Sequence, residues 1–121
     1  MVRAIAALLV VLTCGCREEV TMLTKDQLAA LLVEDRQIAL NRAGIAGAAR
    51  VNADQSFEVE VPRLGRDTGV WWLEGDRICS RWKTFRKDQD LCAAVGQVED
   101  GTYRGYTSGR GSYLGEFTLL P

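Results

Sequence analysis

The sequence predicts a mainly β domain: a small antiparallel meander, barrel-like or a sandwich, preceded by one short helix and a cleaved signal segment. Three observations carry that expectation. Short apolar runs recur along the chain with turn signals such as "NADQ", "VEDG" and "TSGRG" between them. The run "SFEVEV" alternates, with Phe57, Val59 and Val61 on one face and Glu58 and Glu60 on the other. The pair Gly75-Asp76 sits between two apolar-aromatic runs, as a two-residue hairpin loop does.

Composition narrows the function classes. The chain has 121 residues, one domain at most. With 15 basic and 16 acidic residues it lacks the strongly basic footprint of a nucleic-acid binder. It contains no histidine, so the commonest general base and metal ligand is missing. A hydrophobic content of 47% fits a globular domain.

The elements follow in chain order. Residues 1–15 read as a lipoprotein-type signal peptide, 16–23 as a tether and 24–121 as a single helix-plus-β domain. "MVRAIAALLVVLTCGC" has one cation, Arg3, then an apolar run too short to span a bilayer, which takes about 20 apolar residues. The cysteines after it resemble a lipobox, in which a cysteine behind small residues is acylated and becomes the first residue. Cys16 follows Gly15, and cleavage there leaves two cysteines to pair; Cys14 is the alternative, and plain secretion another. Arg3 is the only charge ahead of Cys16, so its loss takes the net charge from −1 to −2.

Thr24 with Gln27 makes a capping box, and Leu28, Leu31 and Leu32 share one face, which predicts a helix over 24–33. A longer helix running through "RQIALNRAG" to Gly44 is the alternative. "PRLGRDTG" reads as a loop. If Gly75-Asp76 is the loop of a hairpin, Glu74 faces Arg77, Leu73 faces Ile78, Trp72 faces Cys79 and Trp71 faces Ser80. Trp71, Leu73, Ile78, Ser80 and Trp82 then form the core face, and Val70, Trp72, Cys79 and Arg81 the other. Placing Cys92 opposite Cys79 on the next strand also pairs Arg81 with Asp90, Ser80 with Leu91 and Ile78 with Ala93. Charge and apolar patterns agree with a Cys79–Cys92 disulfide; two reduced, buried cysteines are the alternative.

The candidate binding surface is Trp72 with the tip of the following hairpin, where Lys83, Arg86 and Lys87 surround Phe85. An exposed aromatic among cations suits an anionic partner, while a plain solvated loop is the bland reading. The search for catalytic groups is negative. No Ser-His or Cys-His pair can exist, no C-x-x-C appears, and "GRGSYLG" lacks the spacing of a phosphate loop. The carboxylate pairs Glu58/Glu60, Glu74/Asp76 and Asp88/Asp90 fall on a solvated strand face or in turns, not across a cleft.

The combination "RDTGVWWLEGDRICSRW", "DLCAAV", "DGTYRGY" and "GEFTLLP" resembles a widespread set of small exported bacterial proteins and lipoproteins of unknown function. Their shared pattern is a G-x-W strand, a G-D turn, a cysteine and tryptophan on the next strand, a second cysteine and a closing G-x-F-T-L strand. The resemblance implies a barrel-like or sandwich domain in the periplasm or envelope, and implies no activity. This chain departs from it at Trp72, where a polar residue is common. The expectation is a non-catalytic envelope lipoprotein, structural or protein-binding, held at a membrane by its lipid, with no metal, cofactor or nucleic acid. A hydrolase inhibitor of protease or lysozyme type, using residues 83–90 or the tether, is the second expectation. A barrel for a small ligand is the third, disfavoured by the bulk of Trp71, Trp82, Leu73 and Ile78.

Overall fold

A computed structural model describes residues 19–87, 89–107 and 112–121. The expected signal segment, with Cys14 and Cys16, lies outside them. In chain order the described residues form β1 (Thr21–Met22), α1 (Lys25–Leu31), β2 (Arg36–Arg42), β3 (Ile45–Val51), β4 (Ser56–Val61), β5 (Gly65–Glu74), β6 (Arg77–Trp82), β7 (Leu91–Glu99), β8 (Thr102–Tyr106) and β9 (Tyr113–Leu119). From β2 to β9 each strand pairs antiparallel with the next, and β9 pairs back onto β2. The meander therefore closes into an eight-stranded up-and-down barrel; the sandwich alternative falls away.

The hairpin register matches the sequence reading residue for residue. Trp71 pairs with Ser80, Trp72 with Cys79, Leu73 with Ile78 and Glu74 with Arg77. On the next ladder Cys79 pairs with Cys92, Ser80 with Leu91 and Ile78 with Ala93. Cys79 and Cys92 are joined by a disulfide, and Arg81 pairs with Asp90 at 2.9 Å. Gly75 adopts φ 56°, which the Gly-Asp turn requires and a glycine supplies without strain.

Alternation sorts the side chains into wall and core. Phe57, Val59 and Trp71 are buried inside the barrel, with Leu73, Ile78 and Trp82 packed against them. Trp71 Nε1 donates to the Asn52 carbonyl at 2.9 Å, so its one polar group is satisfied. Gly69 makes room for this packing: a methyl there would run into the Arg81 carbonyl and the Phe57 ring.

Helix α1 lies across one mouth. Thr24 caps it with the full capping box, its hydroxyl accepting from Gln27 N while Gln27 Oε1 accepts from Thr24 N. The helix ends at Leu31 because Leu32 turns out of helical geometry and Arg36 Nε takes the Leu31 carbonyl at 2.9 Å. Leu28, only 1% exposed, plugs the interior between Leu23, Val95 and Tyr103.

One alternative falls away here and two sequence expectations are corrected. The long helix to Gly44 does not form: residues 36–42 are a strand paired on both sides, by β3 and β9. Burial between two ladders outweighs the helix propensity of this Ala- and Leu-containing stretch. The segment "PRLGRDTG" is a turn only over Pro62–Leu64, because β5 starts at Gly65. The expected tether also ends early. Thr21 and Met22 pair with Gln97 and Gly96 of β7, and Leu23 is buried. There β1 continues the ladder that β6 leaves at Arg77, satisfying backbone groups of β7 that would otherwise be unpaired.

Because Cys79 and Cys92 tie two neighbouring strands directly, replacing Cys79 by serine should lower stability by about 3 kcal/mol in the chain-entropy picture. Urea denaturation with and without reductant checks this. Coincident curves for oxidised, reduced and Cys79→Ser protein would count against a stabilising bridge.

Candidate functional site

Of the candidate binding residues, Trp72 stands on the outer wall and the other four sit in the loop that joins β6 to β7. Trp72 is half-buried. The Arg81 guanidinium lies over its ring, 5.4 Å from the centroid, and its Nε1 donates to Glu74 Oε1 at 3.1 Å. Arg81 is itself held by Asp90 through two hydrogen bonds of 2.9 and 3.0 Å. These hydrogen bonds and the ion pair raise the Arg81 pKa and lower that of Asp90. Trp72 is therefore the floor of a small charged network beside the disulfide.

The loop differs from the exposed tip that the sequence suggests. Phe85 is half-buried, stacks on Trp82 with ring centroids 6.1 Å apart and packs against the barrel core. It lies at the end of the barrel opposite α1. The residue that makes this possible is Asp67, which points inward from β5 and is only 5% exposed. Its carboxylate accepts from the backbone N–H of Phe85 at 2.7 Å, of Thr84 at 3.0 and 3.1 Å, and of Thr68 at 2.8 Å. Burial alone would raise the Asp67 pKa, but the amides of Phe85, Thr84 and Thr68 overcome it and hold the carboxyl below its ordinary value. Lys83 and Lys87 remain exposed, and Arg86 is half-buried with its Nε out of reach of any partner among the described residues.

Between the described side chains the barrel interior keeps some apolar space. Two apolar spaces of about 110 and 150 Å³ remain, sharing Ile38, Val51 and Ile78 in their walls. An open groove of about 570 Å³ runs along the outer wall past Gln37, Arg50, Glu58 and Thr68. Glu74, Cys79 and Cys92 bring three ligand-type atoms within 4.8 Å of one another. The two sulfurs are spent on each other, so the cluster offers a metal one carboxylate and no thiolate. Asp54, Asp67 and Asp90, the carboxyls with displaced pKa, all move downward; the hydroxyl and amide of Ser56 do this for Asp54. None of the three can act as a raised-pKa acid.

The topology also sorts charge by end. Successive hairpins of an up-and-down barrel alternate between its two mouths. The turns at the α1 end carry Asp54, Glu74, Asp76, Glu99 and Asp100 against the single cation Arg77, the partner of Glu74. The turns at the other end carry Arg42, Arg63, Arg66, Lys83, Arg86 and Lys87. The chain enters at the acidic end, since Thr21 pairs nearer the β7–β8 turn than Met22 does. Among the described residues no helix is long and apolar enough to cross a membrane.

Replacing Asp67 by alanine leaves three buried or half-buried amides short of their acceptor and should cost at least about 2 kcal/mol. The pH dependence has a definite sign. With its folded pKa depressed, Asp67 contributes stability above its unfolded value near pH 4 and loses it as pH falls through the lower folded value. Thermal melts of wild type and Asp67→Asn should be well separated at pH 7 and converge in acid; a gap that stays constant through pH 3 would remove Asp67 from this role. Compared with protein-family models, curated proteins and solved structures, the chain matches none.

Proposed function

We propose that this chain is a non-catalytic cell-envelope lipoprotein, exported, acylated at Cys16 and acting through the outside of its barrel on an envelope protein. The observation that carries the reading is the packing of the barrel interior, with Leu28 of α1 at one end and Phe85 stacked on Trp82 at the other. What remains inside falls short of the roughly 300 Å³ or more of a typical ligand site, so binding belongs to the surface. A closed disulfide fits an oxidising, exported compartment. The absence of histidine and the downward pKa of the displaced carboxyls support a role without chemistry.

A hydrolase inhibitor is the rival reading, and one feature favours it. Asp67 fixes the start of the loop at Thr84 and Phe85, and a segment ordered in advance loses little entropy on entering a cleft.

Two measurements decide between them. Feeding radiolabelled palmitate to cells expressing the full chain should label it, with the label lost in Cys16→Ala and kept in Cys14→Ala. Unlabelled wild-type protein in the soluble fraction would sink the anchored reading. Purified protein in excess over a lysozyme or a metalloprotease should leave turnover unchanged; inhibition abolished by Asp67→Ala would promote the rival.

A further inference from the structure

We propose that the basic end of the barrel docks on an anionic lipid surface through the tips of the β2–β3 and β4–β5 hairpins. Each tip presents one large apolar side chain to solvent: Ile45 is 57% exposed and Leu64 is 69% exposed. They stand on neighbouring hairpins at one end of the barrel: β3 and β4 pair as far as Ala48 and Glu60, three residues from Ile45 and four from Leu64. The backbone at Gly47 runs close to the Glu60 carbonyl and to Val61, so the two strands are still adjacent one residue beyond that pair.

Cations flank the pair. Arg42 and Arg63 are exposed and make no ion pair among the described residues, and Lys83 and Lys87 extend the positive rim. Among the described residues, three acids of this end are occupied. Asp67 is inside the barrel, Asp90 is held by Arg81, and Glu60 lies 3.5 Å from Arg66. The combination of protruding apolar tips within a cationic ring suits an interface of headgroups and acyl chains. Tips that project separately need no shaped pocket in their target. A protein partner would have to supply one and to bury on the order of 1,000 Å². The tips are also turned well for this role. They lie at the end opposite the one where Thr21 pairs with β7, and the proposal does not rest on acylation.

The test uses the full chain with Cys14→Ala and Cys16→Ala, which removes both candidate acylation sites and keeps every described strand, the helix and the disulfide. A cooperative melt establishes that the chain is folded before use. Its co-sedimentation is measured with vesicles of phosphatidylcholine alone and with about one-third phosphatidylglycerol. Each cation near an anionic surface contributes roughly five-fold in partitioning, so the anionic vesicles should bind at least about twenty-fold more protein. Raising salt from about 0.05 to 0.5 M should remove most of that preference. Ile45→Asp with Leu64→Asp should lower binding at least about ten-fold without moving the melting temperature. Arg42→Gln with Arg63→Gln, conservative at exposed positions, should do the same if the first pair fails to fold.

Equal partitioning into both vesicles, no binding to either, or binding that both double variants retain would overturn the proposal. So would light scattering that shows a lipid-free oligomer broken by Ile45→Asp, which would assign the tips to the acidic end of a second copy. A positive vesicle result with no palmitate label in cells would leave this docking standing while the anchored reading fell.

Discussion

The ladder between β2 and β9 is the constraint on which the other features depend. It pairs Ile38 with Leu119, Leu40 with Phe117 and Asn41 with Glu116, and it joins the two ends of the meander. Without it both strands would be sheet edges with unpaired backbone. Once it forms, eight strands enclose a space only about as wide as the side chains that point into it. Trp71, Phe57, Val59, Val95 and Tyr103 take up that space. Two ends then remain, and the chain packs them differently. One receives a helix whose apolar face follows from its leucine spacing. The other receives a loop with little apolar content, held by a single inward carboxylate. Burying Asp67 is costly unless its oxygens are met, and the loop amides that meet them are the groups that need an acceptor.

Much of the middle of the fold is legible in the sequence because its signals are local. A two-residue Gly-Asp turn sets a register, and the register places every neighbour within reach of the hairpin, including the cysteine thirteen residues further on. The first barrel hairpin is not legible for the same reason in reverse. "RQIALNR" and "IAGAARV" carry alanine, leucine and arginine, which suit a helix, and the turn between them is Ala43-Gly44 instead of Asn-Gly or Asp-Gly. Ala43 sits at φ 50° and Gly44 at φ 82°, a conformation imposed by the strands on either side. Asp67 has no signature at all. Its partners are backbone amides eighteen residues away or fewer, and an amide is present at every position except proline. Phe85 is misread with it, because an aromatic among lysines looks exposed until the carboxylate that turns it inward is known.

The separation of charge illustrates how topology converts sequence order into shape. Along the chain the hairpin turns alternate between basic and acidic: Arg42 precedes Asp54, Arg63 follows it, Asp76 comes next, then Lys83 to Lys87, then Asp100. In the sequence this alternation averages to a net charge of −1. Folding up and down sends every second turn to the same end, so a nearly neutral chain becomes a molecule with one positive and one negative pole. The proposed lipid contact uses the positive pole, and the entering chain lies at the other.

The closing ladder also sets a timetable. Roughly eighty residues separate the partners that β2 and β9 bring together, while the hairpins between them are local. A chain made from its N-terminus exposes β2 long before β9 exists to cover it. During that interval β2 is a free edge with an apolar stripe, open to pairing with another chain. The hairpin bridged by Cys79 and Cys92 needs no such wait, since both cysteines and their turn emerge together. Oxidation can therefore lock β6 to β7 first, leaving the seam as the last ladder to close.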